Sequence, residues 1–421
     1  MASTSEKPMP FYDFPIDVQL NILSFLSPTE ISAFACTCRR FATLCSPSAD
    51  IWLSLCERRW GSKTHLRRWS SAPSPRLYKA LDRWENLIGF WRRSPGAPPL
   101  VFFEWGPSCI IGSRVSPSPS SCSYAVRKIP FLWLGISPAG GALTYLHPGR
   151  LFDYPACLDK ALSDSDVIPV TISFMGCKHF IIEESLSFCG DQQLDDPDRV
   201  LGLEAGSPPD RLMSEIYQYF ANRTISGGEK YSRKMRKKVK ERLGKRSWKA
   251  EHFVRIANSC PTPDRPLQGL WKGICEDMNL DFFLVAYDDV GGLTCRQVGD
   301  TAVPFPSYCP VFWASNTSFL ESPFPREEQV IYNLREHVGC SKKREVVSRI
   351  LCINCSYDLL LPELAGSSGD FRNVEGRIWE YEDGTYGFGF LRNNFIVDLK
   401  HIWLDGCLLD TLENSRQGCS L

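Results

Sequence analysis

Neither sign of charge is in excess in this chain. Its 48 Lys and Arg stand against 48 Asp and Glu, so it is not a generally basic nucleic-acid binder, and only a local patch is left to meet a polyanion. No apolar run reaches the 18 or so residues that a membrane-spanning helix needs. The opening residues, MASTSEKPMP, are polar and lack the apolar stretch of a secretory signal. Histidine is scarce, at six, and His65, His147, His179, His252, His337 and His401 sit in no nucleophile signature. G-x-S-x-G, H-E-x-x-H and the P-loop lysine motif are all missing. No catalytic constellation and no cofactor is predicted.

What is present points to a folded, multi-part chain. Its 421 residues are 43% apolar and 23% charged, enough for a sizeable core and two or three domains. Its 18 cysteines are scattered. Without a secretory leader they read as reduced, intracellular side chains, partly buried as small hydrophobes. The expected location is the nucleus and cytoplasm.

The most informative stretch is residues 10–60. From Ile16, the residues Ile16, Val18, Leu20, Ile22, Leu23, Phe25 and Leu26 cover an arc of roughly 220° on a helical wheel, broken by Gln19, where a surface helix needs only about 100°. This helix therefore has apolar surface to spare after packing on its own core. Ser27-Pro28-Thr29-Glu30 opens a second helix, with Ser27 as cap, Pro28 at the first helical position and Glu30 returning a bond to Ser27, as in a capping box. Ile31, Phe34 and Ala35 supply its inner face, and Phe41, Leu44, Ile51, Trp52 and Leu55 continue the pattern.

This stretch resembles the F-box family. The matching residues are Phe14-Pro15 (the family usually has Leu-Pro), Leu20, the run Ile22 to Leu26, Ile31, Cys36, Cys38, Arg39-Arg40-Phe41, Leu44 and Trp52. The resemblance implies docking on the Skp adaptor and, through it, on the cullin scaffold of a ubiquitin ligase. The adaptor-binding residues it suggests are Phe14, Pro15, Val18, Ile22, Leu26, Ile31 and Trp52.

Beyond residue 60 the pattern changes twice. Ser74-Pro75 starts a helix running to about Trp91, with Leu77, Leu81, Trp84, Leu87, Ile88 and Trp91 on one face and Ser94-Pro95-Gly96 as its stop. It is read as a linker helix, 74–93. From residue 98 to 410 the language is that of strands punctuated by Gly, Pro and Ser, as in an antiparallel sheet or barrel. Residues 185–266 read as a polar insertion, flexible in its basic half, and no repeat of fixed period is found. The fold class is α+β: a helical F-box, a linker helix, and a mainly antiparallel, barrel-like β-domain that binds an unidentified protein substrate. Residues 267–273 (LQGLWKG), the strand FFLVAYDD and the Val298 to Pro304 region resemble, more loosely, the β-module of the F-box-only subfamily that recruits cyclin D.

Two further patterns have competing readings. His337, Cys340, Cys352 and Cys355 spell H-x2-C-x11-C-x2-C, a spacing that suits zinc, but Cys352 ends a strong strand pattern, and no metal is assigned. Residues 230–249 hold eleven Lys and Arg against Glu241, which is a nuclear-import signal, a nucleic-acid patch or a solvated charged segment. The alternative to a ligase receptor is an adaptor-bound scaffold or regulator that forms no ligase and works through this basic run.

Overall fold

The computed structural model describes residues 10–46, 50–69, 75–94, 100–118, 122–137, 141–147, 167–185, 250–257, 259–288, 292–298, 310–314, 318–339, 346–356, 372–404 and 406–412. The basic run at 230–249 lies outside them.

The N-terminal unit is helical: α1 (Ile16–Leu23), α2 (Pro28–Ala35), α3 (Arg39–Leu44) and α4 (Ile51–Trp60), followed by α5 (Leu66–Trp69) and α6 (Pro75–Glu85). Leu23, Ile31, Ile51, Trp52 and Leu55 form its core. The capping box expected at Ser27 is present: the Ser27 amide donates to Glu30 Oε2 at 2.7 Å and the Glu30 amide to Ser27 Oγ at 3.3 Å. The bonds that its carboxylate accepts from the Ser27 amide and, at 2.8 Å, from the Ser27 hydroxyl hold Glu30 below its ordinary pKa. The predicted linker helix is shorter than its periodicity suggests. It ends at Glu85, and Gly89–Ser94 is a strand. The break comes at Gly89, whose φ of 116° is open to glycine and strained for other residues. Beyond it, Phe90 and Trp91 alternate outward and inward as strand residues do.

Two β-units follow, a closed barrel and a half-barrel. The first comprises β1 (Gly89–Ser94), β2 (Leu100–Trp105), β3 (Ile110–Pro117), β4 (Val126–Ile136), β5 (Ala142–Leu146), β6 (Ile168–Phe174), β7 (His179–Glu184) and β8 (Glu251–Arg255). Each strand pairs antiparallel with the next, β8 returns to β1, and the β4–β5 ladder completes the closed ring. Strand β8 corrects the reading of 185–266 as an insertion throughout. Glu251–Arg255 is an integral strand between β1 and β7, with Phe253 stacked on Phe180 inside the barrel at 4.9 Å.

The second unit comprises β9 (Gly269–Ile274), β10 (Leu280–Tyr287), β11 (Leu293–Val298), β12 (Pro310–Ala314), β13 (Phe319–Glu321), helix α7 (Arg326–Asn333), β14 (Glu336–Val338), β15 (Val347–Ser356), β16 (Arg372–Tyr381), β17 (Tyr386–Phe390) and β18 (Phe395–His401). Its ladder runs β12-β11-β10-β9-β18-β17-β16-β15-β13. Among the described residues no ladder joins β12 to β15, so this is a half-barrel. Phe312 of β12 and Leu351 and Ile353 of β15 nonetheless share one core.

The two units repeat one strand order. In each, the first strand pairs with both the second and the last. Each opens with Leu-x-Gly-x-Trp: Leu87, Gly89 and Trp91 in one, Leu267, Gly269 and Trp271 in the other. Both glycines have positive φ, 116° and 140°. Strand β1 lay inside the predicted linker helix, which hid the repeat.

The barrels pack through their outer faces. Phe90, Leu100, Phe102 and Val115 of the first meet Leu270, Ile274, Leu280 and Phe282 of the second. The chain then recrosses the joint through the hairpin β19 (Trp403–Leu404) and β20 (Cys407–Leu408) and ends its described course in β21 (Thr411–Leu412), which joins β4 in parallel. Trp403 packs on Phe90 and Phe102. The buried Lys272 ammonium donates to the Leu409 carbonyl at 3.1 Å and to Asp410 at 2.8 Å.

Candidate functional site

The wide apolar arc of α1 splits into two stripes. Leu20, Leu23 and Leu26 turn inward to the helical core, and so does Gln19, 1% exposed. The Gln19 amide donates to the carbonyls of Phe14 at 2.7 Å and Tyr12 at 3.2 Å. It therefore latches the preceding 3-10 turn, Phe11–Asp13, onto the helix, and this explains the polar break in the arc. The second stripe faces solvent: Val18, Ile22 and Phe25 are 36%, 44% and 70% exposed. Val18 and Ile22 are one turn apart on α1, and Phe25 follows in the turn after the helix, its amide donating to the Ile22 carbonyl at 3.2 Å. Ile16 and Tyr12 extend the apolar surface, at 62% and 54% exposed. The Arg58 guanidinium of α4 lies over the Phe25 ring at 5.3 Å from its centroid.

Of the seven residues assigned to adaptor binding from the sequence, Pro15, Val18 and Ile22 are exposed and Phe14 and Leu26 half-buried. Ile31 and Trp52, at 1% and 7% exposed, face the core, so here the structure departs from the reading. Their large apolar side chains hold α2 and α4 together and leave no surface for a partner in this conformation. Tyr12, Ile16 and Phe25 are exposed apolar residues of the same surface that lie outside that assignment. The signal for Phe25 was its i+3 and i+7 spacing from Ile22 and Val18.

The far side of the helical unit is built into the first barrel. Cys56, Trp60, Leu66, Trp69, Leu77, Leu81 and Trp84 share one buried cluster with Trp91, Phe103, Phe180 and Phe253 of the barrel interior. Large aromatic side chains bury 150–250 Å² each, roughly 4–6 kcal/mol of transfer free energy, so this joint is strong. The buried Thr64 hydroxyl donates to the Gly106 carbonyl at 2.6 Å and accepts the Trp69 indole N–H at 2.7 Å. On the surface, Arg59 binds Asp82 at 2.6 Å and Glu85 at 2.7 Å, and Lys63 binds Glu85 at 2.9 Å. Burial opposes the charge on Glu85, but the bond from Lys63 and the Arg59 charge outweigh it and lower its pKa.

The zinc spacing does not assemble among the described residues. His337 Nδ1 bonds to Asp398 at 2.8 Å, and Asp398 also accepts the Tyr381 hydroxyl at 2.7 Å. That network pins β14 to β18. Cys352 is exposed on β15, with β16 and β17 between it and β18. Cys340 and the Cys355 side chain lie outside the described residues. No group of three His, Cys, Asp or Glu side chains suited to a metal occurs among the described residues.

Comparison with known proteins agrees with the helical geometry. Residues 11–58 match the F-box-like family model. The chain is 44% identical to F-box protein At3g12350 of Arabidopsis thaliana, over 96% of this chain and 98% of that protein. It is also 43% identical, over 60 residues, to F-box/kelch-repeat protein At1g51550 of the same plant, covering 14% of this chain and 12% of that protein. The helical order, the outward stripe on α1 and the full-length similarity lead to one conclusion: this chain belongs to the F-box protein family.

Proposed function

We propose that the protein is the non-catalytic substrate receptor of an Skp–cullin–F-box ubiquitin ligase. An F-box implies docking on the Skp adaptor and, through it, on a cullin scaffold. The observation that carries the reading is the outward stripe Val18, Ile22 and Phe25 on a unit whose opposite side is embedded in the first barrel. A receptor of this kind works by proximity. It holds a substrate at a fixed distance from the conjugating enzyme and so raises the effective concentration of the substrate lysine. A packed joint suits that task better than a flexible tether, which would spread the lysine over a larger volume. The β-domain is assigned the substrate. The basic run at 230–249 is proposed to direct the protein to the nucleus as well as the cytoplasm, and a reporter fused to residues 225–250 that stays evenly distributed removes that part.

The test is affinity purification of the full chain from cells. Recovery of both adaptor and cullin, with loss of both from an Ile22→Asp variant, supports the receptor. Recovery of the adaptor with no cullin at any stoichiometry favours a scaffold outside the ligase.

A further inference from the structure

The joint between the helical unit and the first barrel leaves a notch open to solvent. It lies between the turn from α4 to α5, residues 61–65, and the turn from β2 to β3, residues 105–107, with a volume of about 240 Å³. Its walls are fixed from beneath. The buried Thr64 hydroxyl donates to the Gly106 carbonyl at 2.6 Å and accepts the Trp69 indole N–H at 2.7 Å, which ties the two turns together. Each turn is also closed on itself. The Lys63 and Thr64 amides donate to the Trp60 carbonyl at 2.8 and 3.0 Å, and the Gly106 amide donates to the Cys109 carbonyl at 2.8 Å. The Trp105 ring stands edge-on to Trp69, with centroids 6.2 Å apart. A notch held this way needs no ordering before it is filled, which spares a cost that binding otherwise carries.

The lining is one-sided in charge. Lys63, His65 and the Ser62 hydroxyl belong to it, and no Asp or Glu does. Residues 57–68 hold Arg58, Arg59, Lys63, Arg67 and Arg68 against Glu57, in a chain whose total charge is zero. Arg58 and Arg59 suit the C-terminal dipole of α4 and need no ligand to explain them. Asp82 and Glu85 of α6 engage Arg59 and Lys63, yet the Lys63 side chain remains 44% exposed. Arg67 and Arg68 point outward, because Leu66 and Trp69 take the buried side of α5. Among the described residues no ion pair engages His65, Arg67 or Arg68.

We propose that this notch and its rim bind an acidic segment of a partner protein, with one carboxylate side chain entering beside Lys63 and His65 and flanking carboxylates meeting Arg67 and Arg68. Size sets the first limit. Pockets for drug-sized molecules start at roughly 300 Å³ and bury most of their ligand, whereas this notch is smaller and open, so it suits a side chain presented on a longer chain. The methylenes of that side chain have the Trp105 ring and Pro107 to lie against. Charge sets the second limit. Lys63 already shares its ammonium with Glu85, which leaves a field matched to a single carboxylate rather than to a doubly charged phosphate. A single-stranded nucleic acid would need exposed rings for stacking, and Trp60, Trp69 and Trp84 are all buried. The contact is one between exposed charges, so it is salt-sensitive. The site uses no residue of the α1 stripe and does not rest on the ligase reading.

The probe is an octaglutamate peptide with one photoactivatable diazirine residue at its centre, and octaglutamine and octalysine versions are the controls. Each is cross-linked to the full-length chain at about 50 mM salt, where screening is weak, and the adducts are mapped by mass spectrometry. The glutamate probe is expected to label residues 61–68 or 105–107 at least about fivefold more than either control, and about 0.5 M salt should remove most of that labelling. Arg67→Ala with Arg68→Ala, and separately Lys63→Ala, should each cut the yield at this site at least about threefold, as loss of a rim charge does, with the melting curve confirming the fold. Removing two exposed arginines elsewhere, Arg296→Ala with Arg326→Ala, should leave it within about twofold. Labelling confined to the lysine-rich run at 230–249, equal loss in the remote variant, or equal labelling by octaglutamine overturns the proposal. Stronger protection of the site by a phosphoserine peptide or a single-stranded oligonucleotide than by unlabelled octaglutamate also overturns it, since the ligand would then be a different polyanion.

Discussion

Trp91 and Trp271 occupy one position in successive barrels: each donates its indole N–H to the carbonyl of the leucine four residues earlier, Leu87 at 2.6 Å and Leu267 at 3.0 Å. The glycine between them makes that bend possible. Opposite each tryptophan on the last strand stands a different residue, Arg255 over Trp91 at 5.9 Å and His401 on Trp271 at 4.1 Å. The framework is shared while its surroundings differ.

Gly89→Ala and Gly269→Ala should both destabilise, by about 1–3 kcal/mol, because both hold backbone angles that a Cβ disfavours. Gly269 should cost more, since a Cβ there meets the Ser259 carbonyl oxygen at 3.2 Å, whereas at Gly89 the nearest atom is 3.8 Å away on the Arg255 side chain. Denaturant midpoints of the two variants check the order.

The α1 stripe and the core beneath it should separate cleanly. Phe25→Ala with Ile22→Ala should leave the melting temperature within a few degrees and cut adaptor affinity at least about a hundredfold, if both act as interface anchors. Ile31→Ala should cost about 2–5 kcal/mol of stability, as for other buried aliphatic truncations. Calorimetry beside adaptor pull-down reads both. An Ile22/Phe25 double variant that binds normally removes the docking surface.

Thr64→Val keeps the volume of the side chain but strands the Gly106 carbonyl and the Trp69 indole N–H. The expected loss is about 1–3 kcal/mol, seen as a lower unfolding midpoint. Lys63→Ala, whose partner Glu85 also binds Arg59 at the surface, should cost under about 1 kcal/mol.

His179 and His252 form a cross-strand pair, with Nε2 and Nδ1 3.1 Å apart. Burial, reinforced by His252, lowers the pKa of His179 to about 4. The sign follows from the unfolded chain, in which His179 takes a proton near pH 6.5. Below that pH the unfolded state gains protons that the folded one refuses, so stability present above about 6.5 is lost as pH falls toward 4. The loss should be about 2 kcal/mol after solvent screening. His179→Phe should flatten this part of the stability–pH curve, measured by urea unfolding between pH 4 and 7.

Strand β8 predicts the behaviour of a nicked chain. Cleavage between residues 185 and 250 should leave both fragments associated under native conditions, because β7–β8 and β1–β8 ladders cross the cut and the barrel joint adds apolar area. Size-exclusion chromatography after limited proteolysis is the check, and separate elution would contradict the topology.

Much of this was legible in the sequence, and the failures have physical causes. The capping box, the helical unit and most of the long strands announce themselves by local pattern. Phe90 and Trp91 did not, because Leu81, Trp84, Leu87, Ile88 and Trp91 continue a helical spacing past the end of the helix at Glu85 and across Gly89, where the strand begins. Glu251–Arg255 is five residues beside a lysine-rich run, too short to stand out, and only its neighbours in the sheet make it a strand. Periodicity also cannot tell Ile22 from Leu23, since both lie on a wide apolar arc. What separates them is the tertiary core, together with the inward turn of Gln19, which a wheel reads as a flaw in the stripe.

The return of the last strand to β4 has a consequence for how the chain is made. On the ribosome the first barrel cannot close until residue 255 has emerged, so the aromatic faces of α6 and β1–β7 wait, uncovered, for β8. The parallel contact of Thr411–Leu412 with Val126–Arg127 forms only after residue 412 has emerged, nearly 300 residues behind its partner. Assembly therefore relies on long-range pairings that come late. Chains stalled during translation should need chaperone protection most while the segment between β7 and β8 is being made.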